Sequence, residues 1–540
     1  MKKDIQWDEE VEVAVVGFGA AGACAALEAL QSGASVAVLD RFEGGGATAI
    51  SGGIVYAGGG THIQQEAGVS DTIDDMLSYL RLEVKDAVKE STLRDFCESS
   101  ADNLKWLEGH GVPFDSTLCP YKTSYPLDHF GLYYSGNEPA LPYREHASPA
   151  PRGHRVQGKG MPGQRFFSPL KQAARALGAS LHLHSRVTTL HTDSSGAVIG
   201  LSAHRLKPGG VAAFLHRWCE KIALKINNYS PGLGKRLRRW NDSLEATQGR
   251  PFHLRATQGI VLTAGGFIYN RAMVREVALP YRPGMPLGTT GCDGSGITLG
   301  QSVDGGTSRM DRISAWRFIN PPKAFTHGIL LNRKGERYIN EELYGATIGE
   351  AMVEENRGEG ILIIDDALRQ RARGQIGRGK TQWFQTAPTL LNLWFNARRA
   401  DSIPELAGLF GMDESTLEQT LHHYNRCGTE GTPDPLGKSK EGMHNLSPPY
   451  FAINCSLNSK RFPCPTLTLG GLVVNERTGQ VVSTAGTPIP GLYAAGRNAV
   501  GICSQQYVSG LSIADCVYSG RRAGRSCAVE KKKSSDSRTA

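Results

Sequence analysis

The chain has eleven cysteines, yet no two of them stand as C-x-x-C and none fall at zinc-finger spacing. An odd, scattered set of this kind excludes a disulfide scaffold and reads as reduced thiols, which makes the cytoplasm the expected compartment. The first ten residues are charged and contain no apolar core, so they do not read as a secretory signal. No run of about 18 uninterrupted apolar residues occurs, and no membrane-spanning helix is expected. Aromatic residues are only 8% of the chain. Few interleave with its basic stretch, which argues against single-stranded RNA or DNA as a partner. His182 and His184 form an H-x-H pair in Leu181–Val187, but no third ligand is near in sequence, so no metal site is expected. That stretch reads as one strand with its histidines turned outward. Internal repeats are absent.

What the chain has in quantity is glycine, 65 of 540 residues, often in pairs. The most informative cluster lies between Val11 and Asp40. An apolar strand, Val11–Val16, leads into Gly17-Phe18-Gly19-Ala20-Ala21-Gly22, then an Ala-rich helix, then a second strand closed by Asp40. Gly17 permits a tight turn, Gly19 lets backbone approach a pyrophosphate, and Gly22 lets helix and sheet pack closely. The free N–H groups at the helix start favour an anion, and Asp40 stands where a carboxylate takes ribose hydroxyls. A second glycine-rich stretch, Gly44 to Gly53, follows; it reads either as a flexible loop or as a second backbone cradle for a bound cofactor, with Thr48 and Ser51 as its hydrogen-bonding groups.

Residues 71–112 read as helical and 113–165 as an irregular lid. Val198–Arg205 and His253–Thr263 read as strands, the latter running into Ala264-Gly265-Gly266. Gly288–Gly296 opens a further helix, Thr416–Cys427 is another, and a last helix runs from about Gly510 to Val529. The division that follows is 1–312 for the first part of a nucleotide-binding domain, 313–451 for an α+β cap, and 452–530 for the second part. Residues 531–540 read as a disordered basic tail. An insert at 205–255 carries 11 Lys/Arg against 3 Asp/Glu, a net +8 that equals the net charge of the whole chain. Within it Val211, Phe214, Leu215, Trp218, Ile222 and Ile226 share one helical face. A basic amphipathic helix with Trp suits an anionic membrane surface, reached through 209–250 at the inner face of the membrane. Packing against the first domain is the alternative.

Taken together, Gly17–Gly22, Gly45–Gly53, Thr263–Phe267, Asp293-Gly294, Gly335–Glu341 and Ile489–Gly496 resemble the fumarate reductase/3-ketosteroid dehydrogenase family of FAD flavoproteins. The resemblance spans residue 11 to about 525, with a gap at the basic insert. It implies an α/β fold, a Rossmann-type FAD-binding domain interrupted by an α+β catalytic cap, with the active site between them. It further implies FAD contacts from Gly17, Gly19, Ala20, Ala21, Gly22, Asp40 and Arg41, then from Gly46, Ala47, Thr48, Ser51, Gly52 and Gly53. Val187, Ala264, Gly265, Gly266, Asp293, Gly294, Gly496, Ser512 and Ile513 complete that set. Gly46-Ala47-Thr48 stands where a covalent histidyl attachment would be, so the FAD is expected to be non-covalent.

The dicarboxylate-reducing members grip their substrate with arginines and a histidine. This chain has Tyr344 where an arginine would be, and Pro465–Gly471 without the usual histidine. Tyr507-Val508-Ser509-Gly510, with Tyr344, is most similar to the 3-oxo-5α-steroid 4-dehydrogenase branch. The substrate implied is a hydrophobic ketone, a steroid. Tyr507 is expected as base, Ser509 as its proton relay and Tyr344 as donor to the carbonyl oxygen. 3-Ketosteroid 1-dehydrogenation and enoate reduction are the enzymatic alternatives, and an RNA-binding flavoprotein is the non-catalytic one. The electron acceptor is not legible.

Overall fold

The computed structural model describes residues 5–226 and 231–536. Its central sheet has eight strands. Strand β1 (Glu9–Val16) leads through the glycine turn into helix α1 (Ala20–Gln31) and strand β2 (Val36–Leu39), which pairs parallel with β1. Beyond β2 lies β3 (Ser180–His182), also parallel. An antiparallel hairpin follows, β4 (Ser185–Thr192) with β5 (Val198–Arg205). Next come the helices of the insert, α2 (Val211–Ile226) and α3 (Pro231–Gln248), and the long strand β6 (Arg250–Leu262). The first half of β6 pairs with β5. Its second half pairs parallel with β8 (Pro488–Ala494), which β7 (Gln480–Val482) flanks, while β1 lies against both halves.

The β1–α1–β2 core is made by alternation across the sheet. Val13 and Val15 belong to one apolar layer and Ala14 and Val16 to the other, as a parallel sheet covered on both faces requires. The closing helix α5 (Leu511–Asp536) crosses α1 through small residues. A Cβ on Gly520 would lie 2.5 Å from Ala21 O, and one on Gly524 2.2 Å from Ala25 O, so no larger residue fits this crossing. Arg525 anchors the pair to Glu28 at 3.1 Å. The helix is described to Asp536. Residues 537–540 lie outside the described residues.

A second body of structure is a four-stranded sheet of Ile329–Leu331, Ile361–Asp365, Tyr450–Asn454 and Ala397–Ala400, with an apolar core of its own. Helix α4 (Trp383–Leu391) precedes its Ala397–Ala400 strand, and Glu414–Glu430 covers the expected helix at 416–427. Inside this unit Glu341, fully buried, takes Arg337 at 2.7 Å, Lys438 at 2.9 Å and the Leu330 N–H at 2.8 Å. Burial alone would raise its pKa, but the two cations overcome burial and take it to about 2. That interaction stabilises the fold above the ordinary carboxylate range and is lost as pH falls toward 2. The block Gly335–Glu341 is therefore a stabilising device of this unit.

Two local expectations need correction. Leu181–Val187 is not one strand. His184 sits at φ +53° between β3 and β4, which pair with different neighbours. Both histidines are buried, not outward. His182 pairs with Glu9 at 3.0 Å, and His184 meets Glu43 at 3.0 Å and His216 of α2 at 3.1 Å. The segment 113–165 is irregular over most of its length, and its Ser124, Tyr125, Met161 and Gln164 line the cavity described below. It contributes Leu132–Tyr133 and Gly153–Arg155 to a three-stranded sheet with Ile54–Tyr56, and its Arg152 forms a fully buried ion pair with Asp71 at 2.6 Å. Residues 71–112 form three helices, Ile73–Val84, Glu90–Glu98 and Ser100–Gly109.

Candidate active site

A cavity of about 1150 Å³ runs from the glycine turn after β1 to the aromatic residues of the four-stranded unit. Its first end is a backbone cradle, and the three fingerprint glycines divide by cause. A Cβ on Gly17 would meet Thr263 O at 2.6 Å, and one on Gly22 would meet Gly17 O at 2.0 Å. Those two are required by the protein's own packing. A Cβ on Gly19 would find nothing nearer than Thr48 Oγ1 at 3.7 Å, in a cavity that Gly19 lines. The protein's own packing therefore does not require glycine there.

Gly17, Gly19, Ala20, Ala21, Asp40, Arg41, Gly46, Ala47, Thr48, Ser51, Gly52, Gly53, Val187, Ala264, Gly265, Ser512 and Ile513 all line this space. Asp40 also braces the turn, accepting from Phe18 N at 2.8 Å and Phe42 N at 2.7 Å. Thr48 Oγ1 accepts from Ala20 N at 3.1 Å, so the second cradle touches the start of α1. Five expected contacts lie in the wall behind the lining. Gly22 is pressed on Gly17, Gly266 on Thr468, Gly294 on Phe267, and Gly496 on Ala21 and Cys516. Asp293 accepts from Arg41 at 2.8 Å and from Ser295 N at 3.0 Å. Arg41 is held by Glu245 at 2.7 Å as well as by Asp293, so its charge is already matched within the protein.

At the other end Tyr344, Tyr507 and Ser509 line the same cavity, brought together from the four-stranded unit and the approach to α5. Tyr344 occupies the N-cap position of the Gly345–Glu354 helix, and its N–H donates to Asn137 Oδ1 at 2.6 Å. Its side chain makes no cap and packs edge-on to Phe318, ring centroids 5.3 Å apart. Tyr507 packs on Trp316 at 4.5 Å. Ser509 Oγ bonds the hydroxyl of Tyr133 at 2.9 Å and also faces Tyr344. Tyr133 was not singled out from the sequence. It lies in an aperiodic stretch and reaches the site only through a two-residue strand.

The tyrosines differ electrostatically. Burial raises all three phenols. Around Tyr344 the other tyrosines raise it further, and Ser509 lowers it. Around Tyr507 burial is opposed by the guanidinium of Arg497 and by the backbone of Gly510. Arg497 lines the cavity and reaches a thiol, Cys292 Sγ, at 3.7 Å. The other lining cations sit at the Asp40 end, where Lys171 Nζ donates to Glu43 O and Arg186 reaches Glu245.

The FAD binding domain family model matches residues 12–510. The chain belongs to this family of FAD-binding flavoproteins. It is 39% identical over 505 residues to the 3-oxo-5-alpha-steroid 4-dehydrogenase of Comamonas testosteroni, covering 91% of this chain and 93% of that protein. It is 25% identical over 570 residues to the 3-oxosteroid 1-dehydrogenase of Mycobacterium tuberculosis, covering 92% and 94%. Among solved structures it matches the 3-ketosteroid-delta4-(5alpha)-dehydrogenase of Rhodococcus jostii RHA1, in complex with 4-androstene-3,17-dione. There the TM-score is 0.81 at 31% identity, over 97% of this chain and 98% of that one. The cofactor of this flavoprotein is FAD, and the room kept at Gly19 and the cavity beyond it fit that group. No histidine stands in Gly46-Ala47-Thr48 beside the cavity. Acid precipitation is therefore expected to release the yellow colour into the supernatant, and a yellow pellet would contradict non-covalent binding.

Proposed function

We propose that this flavoprotein desaturates a 3-ketosteroid next to its ketone, at the 4(5α) position. The observation that carries the reading is that Tyr344, Tyr507 and Ser509 meet in one cavity with aromatic walls, Tyr507 on Trp316 at 4.5 Å and Ser509 Oγ on the Tyr133 hydroxyl at 2.9 Å. FAD, when bound, supplies the acceptor for the hydride that leaves the β carbon. Tyr507 takes the α proton, its negative charge held by Arg497 and the Gly510 backbone. Tyr344, which its neighbours keep protonated, donates to the ketone oxygen as enolate charge develops. Ser509 lies between Tyr344 and Tyr133 and orients the donor, a different task from the relay off Tyr507 that the sequence suggests. Trp316, Phe318, Ile319 and Phe325 give this end apolar walls suited to a fused-ring ketone. The unit spanning 313–451 serves as the cap that carries Tyr344.

Substrate class comes from chemistry that the relatives' names also suggest. A dicarboxylate would need paired guanidinium forks, and besides Arg497 the guanidiniums that line the cavity, Arg41, Arg186 and Arg217, already pair with Glu245 or Glu43. Anaerobic addition of a 5α-3-ketosteroid should bleach the flavin and yield one equivalent of 4-ene-3-ketone. A flavin that stays oxidised with the steroid, and when reduced is rapidly reoxidised by fumarate, would move the assignment to enoate reduction.

The membrane contact expected at 209–250 belongs to this proposal too. In α2 the buried side is Ala213, His216, Cys219, Glu220 and Ala223, while Val211, Phe214 and Trp218 are exposed. Its one acid, Glu220, bonds Thr290 at 2.5 Å, and the acids of α3, Asp242 and Glu245, pair with Arg41. An outer face left with cations and large apolar groups suits anionic lipid. Among the described residues no helix is long and apolar enough to cross a membrane.

A further inference from the structure

Helix α4 and the wider π turn that continues it, Asn392–Asn396, are built inside out. Gln382, Thr389, Asn392 and Asn396 are buried, while Trp383, Trp394 and Phe395 are 73, 59 and 69% exposed. Leu390 and Leu391 face outward as well. These positions fall on one helical face. A helix that borders water places its residues the other way round, because exposed apolar surface forgoes transfer free energy. The inner polar groups lock the orientation. Gln382 Nε2 donates to Asp128 Oδ1 at 2.8 Å, and Asn396 Nδ2 donates to Asn454 O at 3.1 Å. Rolling the helix over would break both.

This stretch is basic, and the acids that flank it, Asp366 and Asp401, pair with Arg369 and Arg399 at its ends. From Ala367 to Ala400 the chain carries seven Lys/Arg and no Asp or Glu. The guanidinium of Arg373 lies over the Trp394 ring at 4.4 Å, and Arg371, Arg378 and Lys380 are exposed. The helix also belongs to the active-site cavity, since Trp383, Phe384, Pro388 and Thr389 line it.

We propose that the outer face of α4 and its π turn docks on an anionic lipid bilayer, and that the substrate passes from lipid into the cavity beside this helix. Trp394, Phe395 and Leu391 seat at the headgroup boundary while the surrounding cations meet lipid phosphates. A second copy of the chain is a poor occupant, because two such faces would bring like charges together. The route of entry rests on the ketosteroid reading above, whereas the docking does not.

The test uses the full-length, FAD-loaded protein and vesicles of mixed phosphatidylglycerol and phosphatidylcholine, with phosphatidylcholine vesicles beside them. Wild type should co-sediment with the anionic vesicles at low salt and be released by high salt. The triple variant Leu391→Ser/Trp394→Ser/Phe395→Ser should lose at least about tenfold in vesicle affinity. Its KM should rise for steroid dissolved in vesicles and stay unchanged for steroid delivered from cyclodextrin. Arg371→Gln/Arg378→Gln, a milder change, should weaken the salt dependence. Phe214→Ser/Trp218→Ser separates this face from α2. Absence of wild-type binding at low salt, or unchanged binding by both α4-region variants, overturns the proposal. So does a wild-type dimer that the triple variant turns into a monomer, since the face would then join two copies. Lost binding with an unchanged vesicle KM overturns the entry route. Vesicle binding without ketosteroid turnover in any form would refute the proposed reaction and leave the docking intact.

Discussion

Tyr507→Phe is expected to lower ketosteroid turnover by about two to four decades, the range for losing a positioned acid–base group. FAD content should be unchanged, because the hydroxyl lies at the cavity's substrate end and the ring still packs on Trp316. The argument rests on where negative charge can be held. Burial and the Cys503 thiol push the Tyr507 phenol up, and the Arg497 guanidinium is foremost among the groups that oppose them. Arg497→Met should therefore hold the Tyr507 proton more tightly and move the acid limb of the turnover profile to higher pH. Tyr344→Phe should also lose turnover, as an oxyanion donor does, but without moving that limb. Near-normal turnover in both tyrosine variants would exclude this site assignment. An unmoved limb in Arg497→Met would take the base role away from Tyr507.

Gly19→Val should give a folded, colourless protein. The backbone at Gly19 is extended, at φ −91°, which any residue adopts, and the space around its Cβ is free of protein atoms to 3.7 Å. Valine there costs the fold little but stands where the diphosphate must approach. The melting temperature should match that of wild type stripped of flavin and should not rise on adding FAD, since a ligand stabilises only what it binds. Full flavin content in this variant would mean that the cavity is read wrongly at its first end. Gly17 and Gly22 offer no such separation, because side chains there collide with backbone.

The β1–α1–β2 unit was readable in advance because alternation, glycine spacing and the Ala-rich helix all point one way. The strands expected at 198–205 and 253–263 were readable for the same reason of period, the second starting three residues earlier, at Arg250. What escaped was set by tertiary contact. The break at His184 is a single left-handed residue between two strands that pair elsewhere, and hydropathy carries no trace of it. The inward histidines are stabilised by Glu9, Glu43 and His216, partners remote in sequence. Tyr133 reaches Ser509 across 376 positions of chain, so no local pattern could pair them. The α4 surface escaped for another reason. Net charge assigned the basic character of the chain to one insert, yet a run of seven cations near 367–400 is offset by acids elsewhere and vanishes from the total.

The late closure of the central sheet has a consequence for biosynthesis. Strand β8 and helix α5 come from the last stretch of the chain, yet they complete the edge of β6 and the cover of α1. A growing chain on the ribosome thus carries its nucleotide-binding half with the apolar edge Ile260–Leu262 unpaired and the small-residue face of α1 bare. Such long-range pairing folds slowly and leaves sticky intermediates. Arg497, Ser512 and Ile513 of this late segment also line the cavity, so the cofactor's cradle is complete only once that segment has folded back on the first half.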